Sequence, residues 1–292
     1  MKLLGQAALL AMRQKNRIKF KLKFRRWVGS DCSIAYLQTS PVSKGPVIVF
    51  LHGLGASKDQ WGPDIYAMSR LYRCIFVDLP GEGESSFDVS TNYAPERQMY
   101  RLTELFKELD IGQMVLIGSS IGGCIAALYA AEHPSQISKL ILLAPAGLQG
   151  KKNSEVIERF RCTGSHPFGY RTIEEMRWFW SLVFNNPPAV PDFLAKALAA
   201  KGSQRFNHTD KIVQDFLASG LYPLQARLVS VKAQTLVVWG EKDRIFDVSC
   251  ISEAKILLPS AGAVVIKGAG HVPYLERSSE TLLEISNFIA SA

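Results

Sequence analysis

Short runs of β-branched and aliphatic residues recur along this chain, separated by stretches with helical spacing, and few architectures accommodate that alternation. Runs at 33–39, 46–51, 73–78, 113–118, 137–143, 235–240 and 263–267 read as strands. Several are continuously apolar, as strands buried on both faces of a parallel sheet must be. Helical stretches fall between them, at about 59–70, 95–109, 121–132 and 251–257, with a last one from 278 to the C-terminus. The expected class is α/β with a mostly parallel sheet. Composition agrees: 47% apolar and 21% charged residues exclude a disordered chain. The longest apolar run, 124–131, falls far short of the roughly 18 residues a membrane-crossing helix needs.

The alternation breaks between 148 and 232. That span has no convincing strand and reads as helices at 173–184, 191–200 and 209–218, parted by Asn185-Asn186-Pro187-Pro188 and Lys201-Gly202-Ser203. It is too long for an ordinary connection. The expected organisation is a core of 27–147 and 233–292, a helical cap insert at 148–232, and a basic N-terminal arm at 1–26.

Charge sets that arm apart. Residues 1–26 hold nine Lys and Arg and no acid, and the rest of the chain holds 25 basic against 26 acidic residues. The net charge of +8 therefore belongs to one segment. Every odd position from Arg13 to Arg25 is basic, while Ile18, Phe20, Leu22 and Phe24 fall on even ones, which predicts an edge strand with a charged outer face. The functional alternative is a patch for an anionic surface. No nucleic-acid reading module accompanies it, so lipid is the expected partner. The apolar stretch 3–12 reads as a short interfacial helix or a frayed end. Only Lys2 precedes it and the positive charge follows it, the reverse of a signal peptide, so the expected location is cytoplasmic or peripheral to a membrane. The five cysteines are odd in number and form no CxxC pair, which fits reduced, buried thiols.

The sharpest chemical signal is Gly118-Ser119-Ser120-Ile121-Gly122, between the strand Met114-Val115-Leu116-Ile117 and a helix. A nucleophile projecting from so tight a turn needs strained backbone angles, and Gly118 and Gly122 leave room where a Cβ would clash. The spacing selects Ser120 over Ser119. Upstream, the strand ending at Leu51 runs into His52-Gly53-Leu54-Gly55, a turn able to present the Leu54 N–H; the Ile121 N–H is the second expected oxyanion donor. His52 organises that turn in this reading. Of the five histidines, His271 lies in a Gly-rich loop after the last strand and is the expected base. Asp243 follows strand 235–240 and is the expected acid, with Glu241 and Asp247 as rivals. No HExxH, CxxC, GxGxxG or P-loop occurs, so neither a metal nor a nucleotide cofactor is expected.

Together LHGLG (51–55), DLPGEGES (78–85), GSSIGG (118–123), WGEKD (239–243) and GAGHVPYLE (268–276) resemble the α/β-hydrolase superfamily. Within it the chain is most similar to the monoacylglycerol-lipase-like group and to lipases of cold-adapted bacteria. The resemblance implies a sheet of about eight strands, a helical cap over the site, and serine-dependent hydrolysis of acylglycerols or similar esters without a cofactor. Thioester, small-ester and carbon–carbon bond hydrolysis, or a receptor that keeps the triad, are the alternatives. One departure stands out: Glu82 replaces the usual histidine of the DLPGHGES stretch, with an expected effect on loop hydrogen bonding. Aromatic residues of the insert, Phe168, Tyr170, Trp178, Phe179, Trp180 and Phe184, are expected mainly as packing, a few of them lining an acyl tunnel.

Overall fold

The computed structural model describes residues 2–40 and 45–291. The described residues form one sheet of eight strands: β1 (Lys23–Val28), β2 (Ser33–Gln38), β3 (Val47–Leu51), β4 (Arg73–Val77), β5 (Met114–Ser119), β6 (Ile137–Leu143), β7 (Gln234–Gly240) and β8 (Gly262–Ile266). Their spatial order is β1-β2-β4-β3-β5-β6-β7-β8. β2 runs antiparallel to both β1 and β4, and every pair from β4–β3 to β7–β8 is parallel. The period-2 pleat splits the apolar residues between two cores. On β5, Met114 and Leu116 face one layer and Val115 and Ile117 the other. The first layer is closed by α3 (Pro95–Glu108), α4 (Ile121–Glu132) and α8 (Cys250–Leu257), the second by α2 (Gly62–Ala67) and α10 (Ser278–Ala290).

The N-terminal segment differs from its sequence pattern. Residues 13–19 are not strand: α1 (Lys2–Lys19) is one helix, and the edge strand β1 begins only at Lys23. The alternating charges coincide with a run of Leu, Ala, Met, Gln, Lys and Arg, all strong helix formers. The helix ends in a Schellman closure. Lys21 takes φ 52, the Leu22 N–H donates to Arg17 O at 2.8 Å, and the Lys21 N–H donates to Ile18 O at 3.2 Å. Phe20 and Leu22 are then buried. α1 lies along α7 (Asp192–Ala218), so closely that a Cβ on Gly5 would sit 2.4 Å from Phe193 O.

Between β6 and β7 the chain forms α5 (Glu155–Thr163), α6 (Ile173–Val183) and α7. Thr172 and Glu175 close a capping box on α6. α5, capped by Ser154 and ended by Gly164 at φ 66, carries no expectation from the sequence. Lys201-Gly202-Ser203 does not break the chain: α7 runs straight through it. Glycine in a helix interior costs about 1 kcal/mol relative to alanine. Gly202 is retained in α7 by packing, since a Cβ there would lie 1.9 Å from the Tyr170 ring.

A buried charge network ties these parts together. The Lys58 ammonium, fully buried, donates to Asp78 Oδ2 at 2.7 Å, to Asp59 Oδ2 at 3.4 Å and to Glu84. Asp78 Oδ1 also accepts the Lys58 N–H at 2.7 Å, and its Oδ2 accepts the Glu84 N–H at 2.7 Å. Arg17 of α1 forks onto Asp59 at 2.9 and 2.8 Å and reaches Glu84 at 3.2 Å. Lys58→Met should leave the Asp78 carboxylate buried without its counter-ion. The expected loss is about 3–5 kcal/mol of unfolding free energy in urea titration; a midpoint unchanged from the native chain would contradict that account.

Candidate active site

Ser120 occupies the sharp turn from β5 into α4, with φ 54 and ψ −120. Such angles cost a non-glycine residue of order 1–3 kcal/mol, so neighbours must hold them. They do: the Ser120 N–H donates to Leu143 O at 3.0 Å, and Ser120 O accepts the Cys124 N–H at 3.0 Å and the Ala146 N–H at 2.9 Å. The turn closes because two glycines permit backbone contact. A Cβ on Gly118 would lie 2.3 Å from Gly122 O, and one on Gly122 would lie 2.3 Å from Leu51 O. The α4 N-terminus is thereby pressed against the end of β3. Ser119 Oγ is buried beside the Tyr274 hydroxyl.

His271 and Asp243 come together from loops that follow β8 and β7. Asp243 Oδ2 accepts from His271 Nδ1 at 2.8 Å, while Oδ1 accepts the Ile245 and Phe246 N–H groups at 2.8 and 3.0 Å. That bond leaves Nε2 as the second ring nitrogen of a tautomer protonated at Nδ1. Both side chains are buried, and the Phe246 ring stands edge-on to the imidazole with centroids 5.4 Å apart. The histidine loop is fixed from outside as well. The His271 N–H donates to Val183 O at the end of α6 at 2.7 Å. Glu276, in the short helix α9 (Pro273–Glu276), accepts the Gly270 N–H at 2.6 Å and the Asn186 N–H at 2.9 Å.

The rival acids are engaged elsewhere. Glu241 accepts the Gly268 N–H at 3.1 Å, and Asp247 accepts the Ser249 N–H at 2.9 Å in its own turn. Of the other histidines, His133 contacts Thr103 Oγ1 at 3.2 Å, His166 contacts Asp210 at 3.1 Å, and His208 stacks on Phe87.

The turn after β3 sits against the serine: a Cβ on Gly53 would be 3.1 Å from Ser120 Cβ. Neither the Leu54 nor the Ile121 N–H has an acceptor among the described residues. His52 is wholly structural in its contacts. Nδ1 meets Gly53 O at 2.8 Å, and Nε2 accepts the Leu79 N–H at 3.1 Å; burial holds its pKa below the ordinary value, so the ring stays neutral. Glu82 has a part in the same turn that sequence reasoning left undefined: its Oε1 accepts the Gly55 N–H at 2.9 Å, and its Oε2 lies 3.6 Å from the Arg205 guanidinium of α7.

Two lobes of a cavity meet at Ser120. The larger, of about 200 Å³, is lined by His271, Gly53, Gln60, Tyr170, Lys201 and Arg205 among others. The smaller, of about 70 Å³, has apolar walls apart from Ser120 and His166, including Ile121, Val213, Phe216 and Phe246. Leu54, Ser120 and Phe168 belong to both. Of the insert aromatics, Phe168, Tyr170, Phe179, Trp180 and Phe184 face the larger lobe.

A serine on a strand–helix elbow, with a buried histidine–carboxylate pair on the loops after β7 and β8, is the layout of the α/β hydrolases. The sequence profile of the alpha/beta hydrolase fold matches residues 46–278, and the chain belongs to that family. It is 27% identical to Lipase 1 of Psychrobacter immobilis over 92% of this chain and 84% of the relative. It is 28% identical to the human monoacylglycerol lipase ABHD6 over 84% of this chain and 76% of the relative. Among solved structures, that of a membrane phospholipase A superposes with a TM-score of 0.92 at 30% identity, covering 99% of this chain and 93% of that one.

Glu82 supplies a pH signature. Burial first, then the Asp78 carboxylate, push its pKa up to about 7, against the pull of Arg205, the Gly55 N–H and Lys201. The folded chain thus holds a proton that the unfolded chain releases near 4.5. The resulting stability is complete below that value and is lost as pH rises through about 7. Glu82→Gln keeps an acceptor for the Gly55 N–H but cannot titrate. Between pH 5 and 8 its unfolding free energy should fall less than the native chain's, by on the order of 2 kcal/mol. Urea titrations at both pH values test this; parallel pH dependence of the two proteins would refute it.

Proposed function

We propose that this protein is a serine hydrolase of carboxylic esters, acting on acylglycerols or similar lipids through an acyl-enzyme. The observation that carries the reading is the 2.8 Å bond from buried Asp243 to His271, whose ring lines the same lobe as Ser120 on its strained turn. The relatives named lipase and monoacylglycerol lipase support an ester substrate. Ser120 Oγ attacks the ester carbonyl as His271 Nε2 takes its proton. Asp243 keeps the imidazole protonated at Nδ1 and stabilises its cationic form. The Leu54 and Ile121 N–H groups receive the oxyanion, and His271 then protonates the leaving alcohol. Water activated by the same imidazole releases the acid. In this reading α5–α7 are the cap, and the apolar lobe takes the acyl chain.

Ser120→Ala should abolish labelling by a fluorophosphonate and lower ester turnover by at least about three orders of magnitude. Asp243→Asn should cost far more turnover than Asp247→Asn. Near-normal activity in Ser120→Ala would overturn the nucleophile, and a larger loss at Asp247 would overturn the acid.

The same reading places the enzyme at a lipid surface. No helix among the described residues is long and apolar enough to cross a membrane. On α1, however, Leu3, Leu10 and Ile18 recur at helical spacing and are 81%, 63% and 69% exposed. Arg17 is turned inward onto Asp59, so the apolar stripe carries more of the proposed attachment than the charge count suggests. Leu3→Glu with Leu10→Glu should abolish co-sedimentation with anionic vesicles and leave the thermal midpoint within a degree or two. Undiminished vesicle binding would reduce α1 to a packing element.

A further inference from the structure

Lys201 and Arg205 stand one turn apart on α7, and both line the larger lobe. Arg205 is fixed: its Nη2 donates to Gly81 O at 2.8 Å and its Nη1 to Gly83 O at 3.1 Å. Lys201 is different. Among the described residues its ammonium makes no hydrogen bond and no ion pair. Burial first, then the like charges of Arg13 on α1 and of Arg205, bring its pKa down to about 8. The acids that face it do not supply a counter-ion. Asp78 is already bound to Lys58, and Glu82 is itself pushed toward the neutral form. The lobe therefore gathers two positive charges from α7, and among the described residues Lys201 has no counter-ion. Keeping such a group half-buried costs stability unless something else pairs with it.

Chemistry tells which part of a substrate meets this charge. The leaving alcohol must take its proton from His271. His271 lines the larger lobe and not the apolar one, so the alcohol side of the ester lies with Lys201 and Arg205. The Tyr170 ring, seated over Gly202, borders the same lobe.

We propose that Lys201 and Arg205 form an anion subsite that binds a phosphate carried on the leaving alcohol, making acylglycerol phosphates and lysophospholipids preferred over neutral acylglycerols. The proposal deepens the ester-hydrolase reading and rests on it. The guanidinium, held in place by two of its five N–H groups, offers a fixed positive charge with donors to spare, and the ammonium adds an unpaired point charge, a pairing that suits phosphate.

The test compares a short-chain monoacylglycerol with the glycerol 3-phosphate ester of the same acid. Turnover is measured on the native chain, and binding on the Ser120→Ala protein with and without Lys201→Gln. The phosphate lipid should show a kcat/KM at least about tenfold above the neutral one, and a Kd lower by a similar factor. Lys201→Gln should remove most of both preferences. Lys196→Gln, the same charge change on the exposed face of α7, should keep them. Arg205→Lys, which keeps a donor for the Gly81 and Gly83 carbonyls, should weaken the preference partially. Equal Kd values for the two lipids, or a preference indifferent to Lys201, would overturn the subsite even if esters are cleaved. Absence of turnover on both lipids, with the Kd preference intact, would overturn the hydrolase reading and leave the subsite standing.

Discussion

The backbone contact at the Ser120 turn constrains everything around the site. With φ at 54, Ser120 cannot be an ordinary first residue of a helix, and its carbonyl is claimed by Cys124 and Ala146. Gly122 lets α4 come within van der Waals range of Leu51 O and His52 O, which no side chain would allow. The elbow and the turn at 52–55 are consequently one packed unit rather than two loops that happen to be near. Among the described residues the Leu54 and Ile121 N–H groups have no acceptor, because neither sits where a ladder or a helix offers one.

One acidic loop organises the electrostatics. Asp78, Glu82 and Glu84 lie within seven residues of chain, yet they anchor three different parts of the molecule. Asp78 and Glu84 hold Lys58, Glu84 and Asp59 hold Arg17 of α1, and Glu82 joins the Gly55 N–H to Arg205 of α7. Buried ion pairs of this kind return little net stability against well-packed apolar residues, but they are costly to break on one side. Their effect is positional: α1 and α7 are held in register with the turn that faces Ser120. Glu82 fits that role because its two oxygens serve two neighbours at once: Oε1 accepts the Gly55 N–H, and Oε2 lies 3.6 Å from the Arg205 guanidinium.

Glu276 shows how far such positioning extends. It accepts N–H groups from the histidine loop and from the segment after α6, so the helices between β6 and β7 and the loop of His271 share a clamp. The Val183 carbonyl adds a second link. Movement of those helices would be felt at the imidazole.

The sheet and the sites of Ser120, Asp243 and His271 were legible in the residues because each depends on local signals: continuous apolar runs for buried strands, glycines at an elbow, and polar residues just past strand ends. What failed locally is instructive. In residues 13–19 the period-2 charges mimicked a strand, yet helix propensity together with packing on α7 prevailed, since isolated alternation has no partner strand to pair with until Lys23. Gly202 signalled a break that the Tyr170 ring turned into a contact. By itself the sequence determined the α/β class, the strand–helix elbow at Ser120 and the placing of Asp243 and His271 just past β7 and β8. Only the tertiary structure decided which carboxylate meets His271, which backbone N–H groups Glu82 and Glu276 accept, and that Lys201 and Arg205 share a lobe with Ser120. Those depend on which distant loops and helices approach one another, and nothing within a few residues of any of them encodes that distance.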